Sequence, residues 1–170
     1  MKNQICLAAV IVFLAAGAVS AQKRFYDKEF KFGFTYSAGM KLKTDADSTA
    51  TGGSLKGVAQ ISLTHSAKGL YSPTAIISAG KMTQKECRAL SADEDSASDQ
   101  KFGTVMFRKT EVVEGGMESV HPMEYFRTHH NGVCYEVRLE VSMEKYSKHR
   151  VSASSSFQQL YVILRTFSFG

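Results

Sequence analysis

The sequence predicts an α+β fold in which an antiparallel β-sheet is flanked by helices, behind an N-terminal signal peptide. Three observations carry this. From Phe102 to Met143 two glycine-containing turns separate three strand-like runs, two short segments have the spacing of capped helices, and an apolar leader precedes all of them.

The leader opens with Lys2, continues as "ICLAAVIVFLAAGAV" and closes on small residues ending in "VSA" before Gln22. A basic start, an apolar run and a small-residue exit are the anatomy of a secretory signal, with cleavage expected after Ala21. The run is shorter than the ~20 residues that span a bilayer comfortably, so stable membrane insertion is not expected once it is removed. The expected organisation is residues 1–21 as signal peptide and 22–170 as a single domain, exported to the periplasm or the extracellular space. Without Lys2 the mature chain holds 20 basic residues against 16 acidic ones, a formal charge of +4. The basic residues form no long runs, which argues against nucleic acid as a partner.

Phe30, Phe32 and Phe34 recur at period two in "RFYDKEFKFGFTYSAGMKL", the alternation of one face of a strand, so this segment reads as an N-terminal strand. "KTDADSTATGGSLKG" has no periodicity and reads as a surface loop. "VAQISLTH" and "SPTAIISAG" read as strands, with Pro73 near the start of the second, where a missing amide does least harm. In "MTQKECRAL", Thr83 and Glu86 have capping-box spacing, and Met82 with Cys87 suits the accompanying staple, so a short helix begins there. "SADEDSASDQ" then reads as an acidic loop.

The meander is joined at Gly115 and Gly116 and again at Asn131 and Gly132. Asn-Gly is a strong signal for a two-residue hairpin turn because both central positions need positive φ. If both loops are two residues long, Val105 faces Phe126, Phe107 faces Glu124, Phe126 faces Val137 and Arg127 faces Glu136. Val105, Phe107, Val120, Phe126, Tyr135, Val137 and Leu139 then share a core face. Met106, Arg108, His121, Met123, Tyr125, Arg127, His129, Cys134, Glu136 and Arg138 share the other. In "SSSFQQLYVILRTFSFG", Phe157, Leu160, Tyr161 and Leu164 form a helical stripe, Ser155 and Gln158 a second capping-box pair, and Phe167 with Phe169 a last short strand.

The stretch "HHNGVCYE" carries most of the chemical promise. In the hairpin His129 and His130 point to opposite faces, which suits a shared metal poorly. Cys87 and Cys134 are the two cysteines of the mature chain, in a compartment that permits oxidation, and a disulfide between them would staple the helix over the second sheet face. On that face Arg108, His121, Tyr125, Arg127, Glu136 and Arg138 form the constellation expected to meet a ligand or partner, because guanidinium groups beside a ring suit carboxylates and phosphates. The plainer reading is a solvent face in which Arg127 and Glu136 form an ordinary cross-strand ion pair. No phosphate loop, nucleophile elbow, His-Glu-x-x-His or Rossmann glycine pattern occurs, so no catalytic residue, metal or cofactor is assigned.

The order of elements, with "FKFGFTYSAGM", "HNGVCYEV" and "FQQLYVILRTFSF", resembles the PsbP-like group, which includes the extrinsic photosystem II protein and many small exported bacterial proteins. The resemblance implies an α/β/α sandwich around an antiparallel sheet, and an accessory or binding module without enzymatic activity. The expected function is therefore an exported non-catalytic module that binds a protein or an envelope component. The alternatives are a small metal-binding protein or hydrolase using His121, His129 and Cys134, and a basic module adsorbing to anionic surfaces.

Overall fold

The computed structural model describes residues 21–45, 54–63, 73–90, 97–116, 118–144 and 157–170. The apolar leader, the middle of the polar loop, the acidic residues 93–95 and Ser155 of the second expected capping box lie outside the described residues. The elements are β1 (Gln22–Asp27), β2 (Phe32–Ser37), β3 (Met40–Thr44), β4 (Lys56–Leu63), β5 (Thr74–Lys81), α1 (Gln84–Ala89), β6 (Ser98–Phe102), β7 (Val105–Gly115), β8 (Ser119–His130), β9 (Val133–Glu140), β10 (Met143–Glu144), α2 (Tyr161–Thr166) and β11 (Ser168–Phe169). The larger sheet runs β3-β4-β5-β9-β8-β7-β6, with β10 paired to β8, and the smaller runs β1-β2-β11. All the pairings are antiparallel.

The second hairpin of the meander forms as its turn dictates. Asn131 and Gly132 both take positive φ (+48° and +78°), and Phe126 faces Val137 while Arg127 faces Glu136. The first hairpin differs from the expectation. Gly115 is still in the ladder, opposite Val120, and the Gly116 amide donates to the Ser119 carbonyl across the turn. Lys109, rather than Val105, therefore faces Phe126. The displacement is four residues, an even number, so every side chain keeps its expected face.

The N-terminal "strand" is a hairpin. Asp27 Oδ1 accepts from the Phe30 amide at 2.6 Å, and Lys31 turns through φ +53°, which folds residues 28–31 back on themselves. Phe30 is buried in that turn, so its apolar character kept the period-two pattern running through a reversal. The expected acidic loop also ends early, since residues 98–100 belong to β6, which meets β7 around Gly103 and Thr104.

Helix α1 starts where the capping box places it. Thr83 Oγ1 accepts from the Glu86 amide, and Glu86 accepts from the Thr83 amide at 2.7 Å. Helix α2 is shorter than its stripe: Phe157 and Leu160 belong to the turn before it, and Thr166 ends it by donating to the Val162 carbonyl at 2.7 Å. Phe157, Leu160, Ile163 and Leu164 are buried, as are Phe32 and Phe34 of the small sheet and Phe107, Phe126, Tyr135 and Val137 of the large one. Together they make one core. The chain is thus mostly antiparallel sheet. The two described helices have six residues each, and the cover of the core face, expected to be helical, is shared by α2 and the small sheet.

Tyr161 links that cover to the sheet by donating to Glu124 Oε2 at 2.7 Å. Burial, then this bond and the Glu124 charge, hold its phenol well above the ordinary range. Glu124 also accepts from Lys109 at 2.8 Å. Burial pulls Lys109 down, but Glu111 and Glu124 outweigh it and the ammonium is held above its usual pKa.

Gly103 is where α2 comes closest to the β6–β7 turn. A Cβ there would lie 2.6 Å from the Arg165 carbonyl oxygen, on a residue already at φ +57°. Gly132 has a similar φ but open space around it. Gly132→Ala should cost about 1 kcal/mol of left-handed strain. Gly103→Ala should cost roughly 2 to 3 kcal/mol, because the clash adds to the strain. Urea unfolding of both variants checks this, and equal losses would mean that α2 yields freely at Gly103.

Candidate functional site

Side-chain alternation puts Arg108, Tyr125, Arg127, Glu136 and Arg138 on the face of the large sheet opposite the core, in adjoining positions of β7, β8 and β9. His121 shares the face but sits near the start of β8, with its Nε2 2.9 Å from Ser119 Oγ. The expected solvent face is largely closed. Arg127, Glu136 and Arg138 are each less than 10% exposed, and Arg127 Nε donates to Glu136 Oε2 at 2.7 Å in a buried ion pair. Arg127 also lies over the Tyr125 ring, 5.0 Å from its centre, and Arg138 lies 3.1 Å from Glu140. Burial pushes the Glu136 carboxyl above the usual carboxylate range, and Arg127 and Arg138 offset only part of that. Arg127 and Glu136 are committed to each other, while the buried Nε of Arg138 lies beside Glu140 without a hydrogen bond among the described residues.

Helix α1 is fastened to the same face. Cys87 and Cys134 are disulfide-bonded with Cα atoms 5.5 Å apart, closing 47 residues of sequence. On a chain-entropy estimate the bond contributes about 4 kcal/mol. The two cysteines and Leu55 form a small second core rimmed by Met82 and Leu90. Gly80, opposite Cys134, makes room for it, since a Cβ there would come within 2.9 Å of the Ser54 carbonyl. His129 Nε2 lies 3.0 Å from the Met82 carbonyl oxygen, a second tie between the sheet and the segment leading into α1.

The alternative set His121, His129 and Cys134 does not assemble. Cys134 is in the disulfide, and the two histidines are eight residues apart on one strand, on the order of 25 Å. Among the described residues no three His, Cys, Asp or Glu side chains group as a metal site would require. His130 points to the core side, as expected, and stacks on Phe169 with ring centres 4.2 Å apart.

The β7–β8 ladder stops at Arg108 and Arg127, although β7 begins three residues earlier and β8 ends three residues later. Where those pairs would continue, the strands part. A cleft of about 540 Å³ opens there, lined by Gln84, Cys87 and Arg88 of α1, Asp99, residues 104–106, Arg108, residues 127–130 and Phe169. Among the described residues its wall carries Arg88, Arg108, Arg127 and His129 against a single carboxylate, Asp99. Val105, His130 and Phe169 come from the core side and form an apolar and aromatic floor. The Nε of Arg108 is fully buried and has no hydrogen-bond partner among the described residues. Of the six residues expected to meet a ligand, only Arg108 and Arg127 line this cleft. Arg88, Met106, His130 and Phe169 were not foreseen, because the parting of the strands that gathers them leaves no local pattern in sequence.

No family model matches the chain, and neither does any curated protein. Solved structures do. A protein of Bacteroides thetaiotaomicron superposes at 13% identity over 87% of this chain with a TM-score of 0.58, the chain spanning about half (48%) of that protein's length. LpqN of Mycobacterium tuberculosis, described as involved in cell envelope biogenesis, superposes at 9% identity over 87% of this chain and 90% of its own, with a TM-score of 0.51. The chain shares its fold with both of these structures. Cyanobacterial PsbP from Synechocystis also aligns, at 11% identity over 91% of this chain and 96% of its own, with a TM-score of 0.47, too loose an overlap to carry an argument. At these identities the likeness concerns the fold alone.

The buried ion pair sets a stability test. Glu136→Leu alone strands Arg127 in a low-dielectric site and should cost roughly 3 to 5 kcal/mol. The double variant Arg127→Met/Glu136→Leu should recover most of that loss, because neither charge is then buried without its partner. Denaturant unfolding of the two variants beside the parent reads the difference, and additive losses would mean that the pair is not coupled.

Proposed function

We propose that the chain is exported and works outside the cytoplasm as a non-catalytic accessory module, binding a protein or an envelope component through the α1 side of its large sheet. The observation that carries this reading is the cleft between α1 and the parted ends of β7 and β8. Its described groups suit holding better than converting: guanidinium and imidazole donors above an apolar floor, beside the Asp99 carboxylate. A pocket of this volume with a few converging polar groups is the usual form of a binding site.

Export is supported by the apolar leader and by the disulfide, which persists in oxidising compartments and is rare in the cytosol. Among the described residues no helix is long and apolar enough to cross a membrane. The part LpqN plays in cell envelope biogenesis belongs to LpqN, and it makes an envelope role a sensible one to test here.

The test is photocrosslinking in cells from two exposed positions of one strand. Met106, 54% exposed at the rim of the cleft, and Val113, 70% exposed, are seven residues apart on β7. With a benzophenone side chain at either position and the leader intact, the processed protein should begin at Gln22. A discrete adduct should form from position 106 and not from 113. Equal labelling from both positions, or retention of the unprocessed protein in the cytoplasm with free thiols, would contradict the reading.

A further inference from the structure

The cleft has a chemical bias sharper than "binding surface". Arg88, Arg108 and Arg127 face it, with His129 and His130, and among the described residues Asp99 is the one acid in its lining. Arg127 is engaged by Glu136 through its Nε and reaches toward Thr110 Oγ1 at 3.5 Å, so its positive charge is balanced within the fold. Arg108 is different. It faces Asp99 across the β6–β7 ladder but forms no ion pair with it within 4.0 Å, and its buried Nε has no hydrogen-bond partner among the described residues. A guanidinium donor taken out of water and left unmatched costs free energy until an acceptor reaches it.

The rest of the lining says what kind of molecule brings that acceptor. Met106 is exposed at the rim although methionine is apolar, and Val105 is buried just beneath. The floor ends in Phe169, whose ring is held parallel to His130 at an interplanar angle of 9°. A ligand entering between β7 and β8 would meet cations on one side and a flat apolar surface on the other. We propose that this cleft binds a small molecule with an oxyanion, a carboxylate or a phosphate, attached to an apolar or aromatic body. The oxyanion sits on Arg108, with Arg88 at the mouth, and the body lies against Met106 and Phe169. The disulfide matters to this site because Cys87 and Arg88 are adjacent, so the staple that holds α1 also holds the mouth.

This inference rests on the reading of the cleft as the binding surface, and it can fail separately. If the crosslink from position 106 forms while no oxyanion binds, the ligand class is wrong and the surface stands. The probes are phenyl phosphate, benzoate and neutral benzamide, titrated into the oxidised, isotope-labelled protein at fixed ionic strength and followed by amide chemical shifts. Both anions, or one of them, should shift the amides of residues 104–108 and 128–130 and bind at least tenfold more tightly than benzamide. Whichever anion binds better identifies the oxyanion as carboxylate or phosphate. Arg108→Gln should weaken the anion tenfold or more and leave benzamide unchanged, whereas Arg88→Gln should weaken it two- to fivefold. Lys41→Gln, on edge strand β3, should change nothing. If Arg108→Gln does not fold, the parent's shift map and Arg88→Gln decide the matter. Benzamide binding as well as the anions, or shifts spread over the surface lysines instead of the cleft, would overturn the proposal.

Discussion

The turn at Asn131 and Gly132 is the constraint on which the rest of this structure hangs. Both residues need positive φ, and both have it, which allows a two-residue reversal and pairs β8 with β9 at one register only. Parity does the rest. Phe126, Tyr135, Val137 and Leu139 go to the core, while Arg127, Cys134 and Glu136 go to the other face together. A slip of one residue would drive a guanidinium and a carboxylate into an aromatic core and put the rings in their place, a change no local adjustment could absorb.

The second face is where this constraint becomes functional. Two kinds of closure meet on it: charges that neutralise one another, as Arg127 and Glu136 do, and a covalent bond that holds α1 down at Cys134. A buried ion pair contributes little net stability, since desolvation consumes most of the attraction. The core and the disulfide carry the stability, and the pair confers order on a face that would otherwise be wet. Between the ion-paired middle of the sheet and the stapled helix, β7 and β8 separate, and the Arg108 Nε there has no acceptor among the described residues. The cleft is thus a by-product of where the ladder stops.

Much of the fold was legible because its signals are local. The capping box at Thr83 and Glu86, the Asn-Gly turn and the alternation of β8 and β9 each lie within a few residues, and each formed as read. The first hairpin survived a misplaced turn only because its error was even. The N-terminal hairpin was read as one strand because Phe30 continues the alternation through the turn that Asp27 closes. The site was legible in part. Parity alone placed Arg108 and Arg127 on one face, and the cysteine count pointed to the staple. The burial of Arg127 and Glu136, and the convergence of Arg88, Met106 and Phe169 from three separate elements, depend on tertiary packing that no window of sequence contains.

The β8–β9 register can be read from backbone NOEs in the labelled, oxidised protein. Cross-strand contacts of Thr128 with Tyr135, Phe126 with Val137 and Tyr125 with Arg138 are expected. A ladder displaced by one residue, pairing Phe126 with Glu136 or with Arg138, would contradict this register. It would also remove the basis for the staple, the buried ion pair and the cleft.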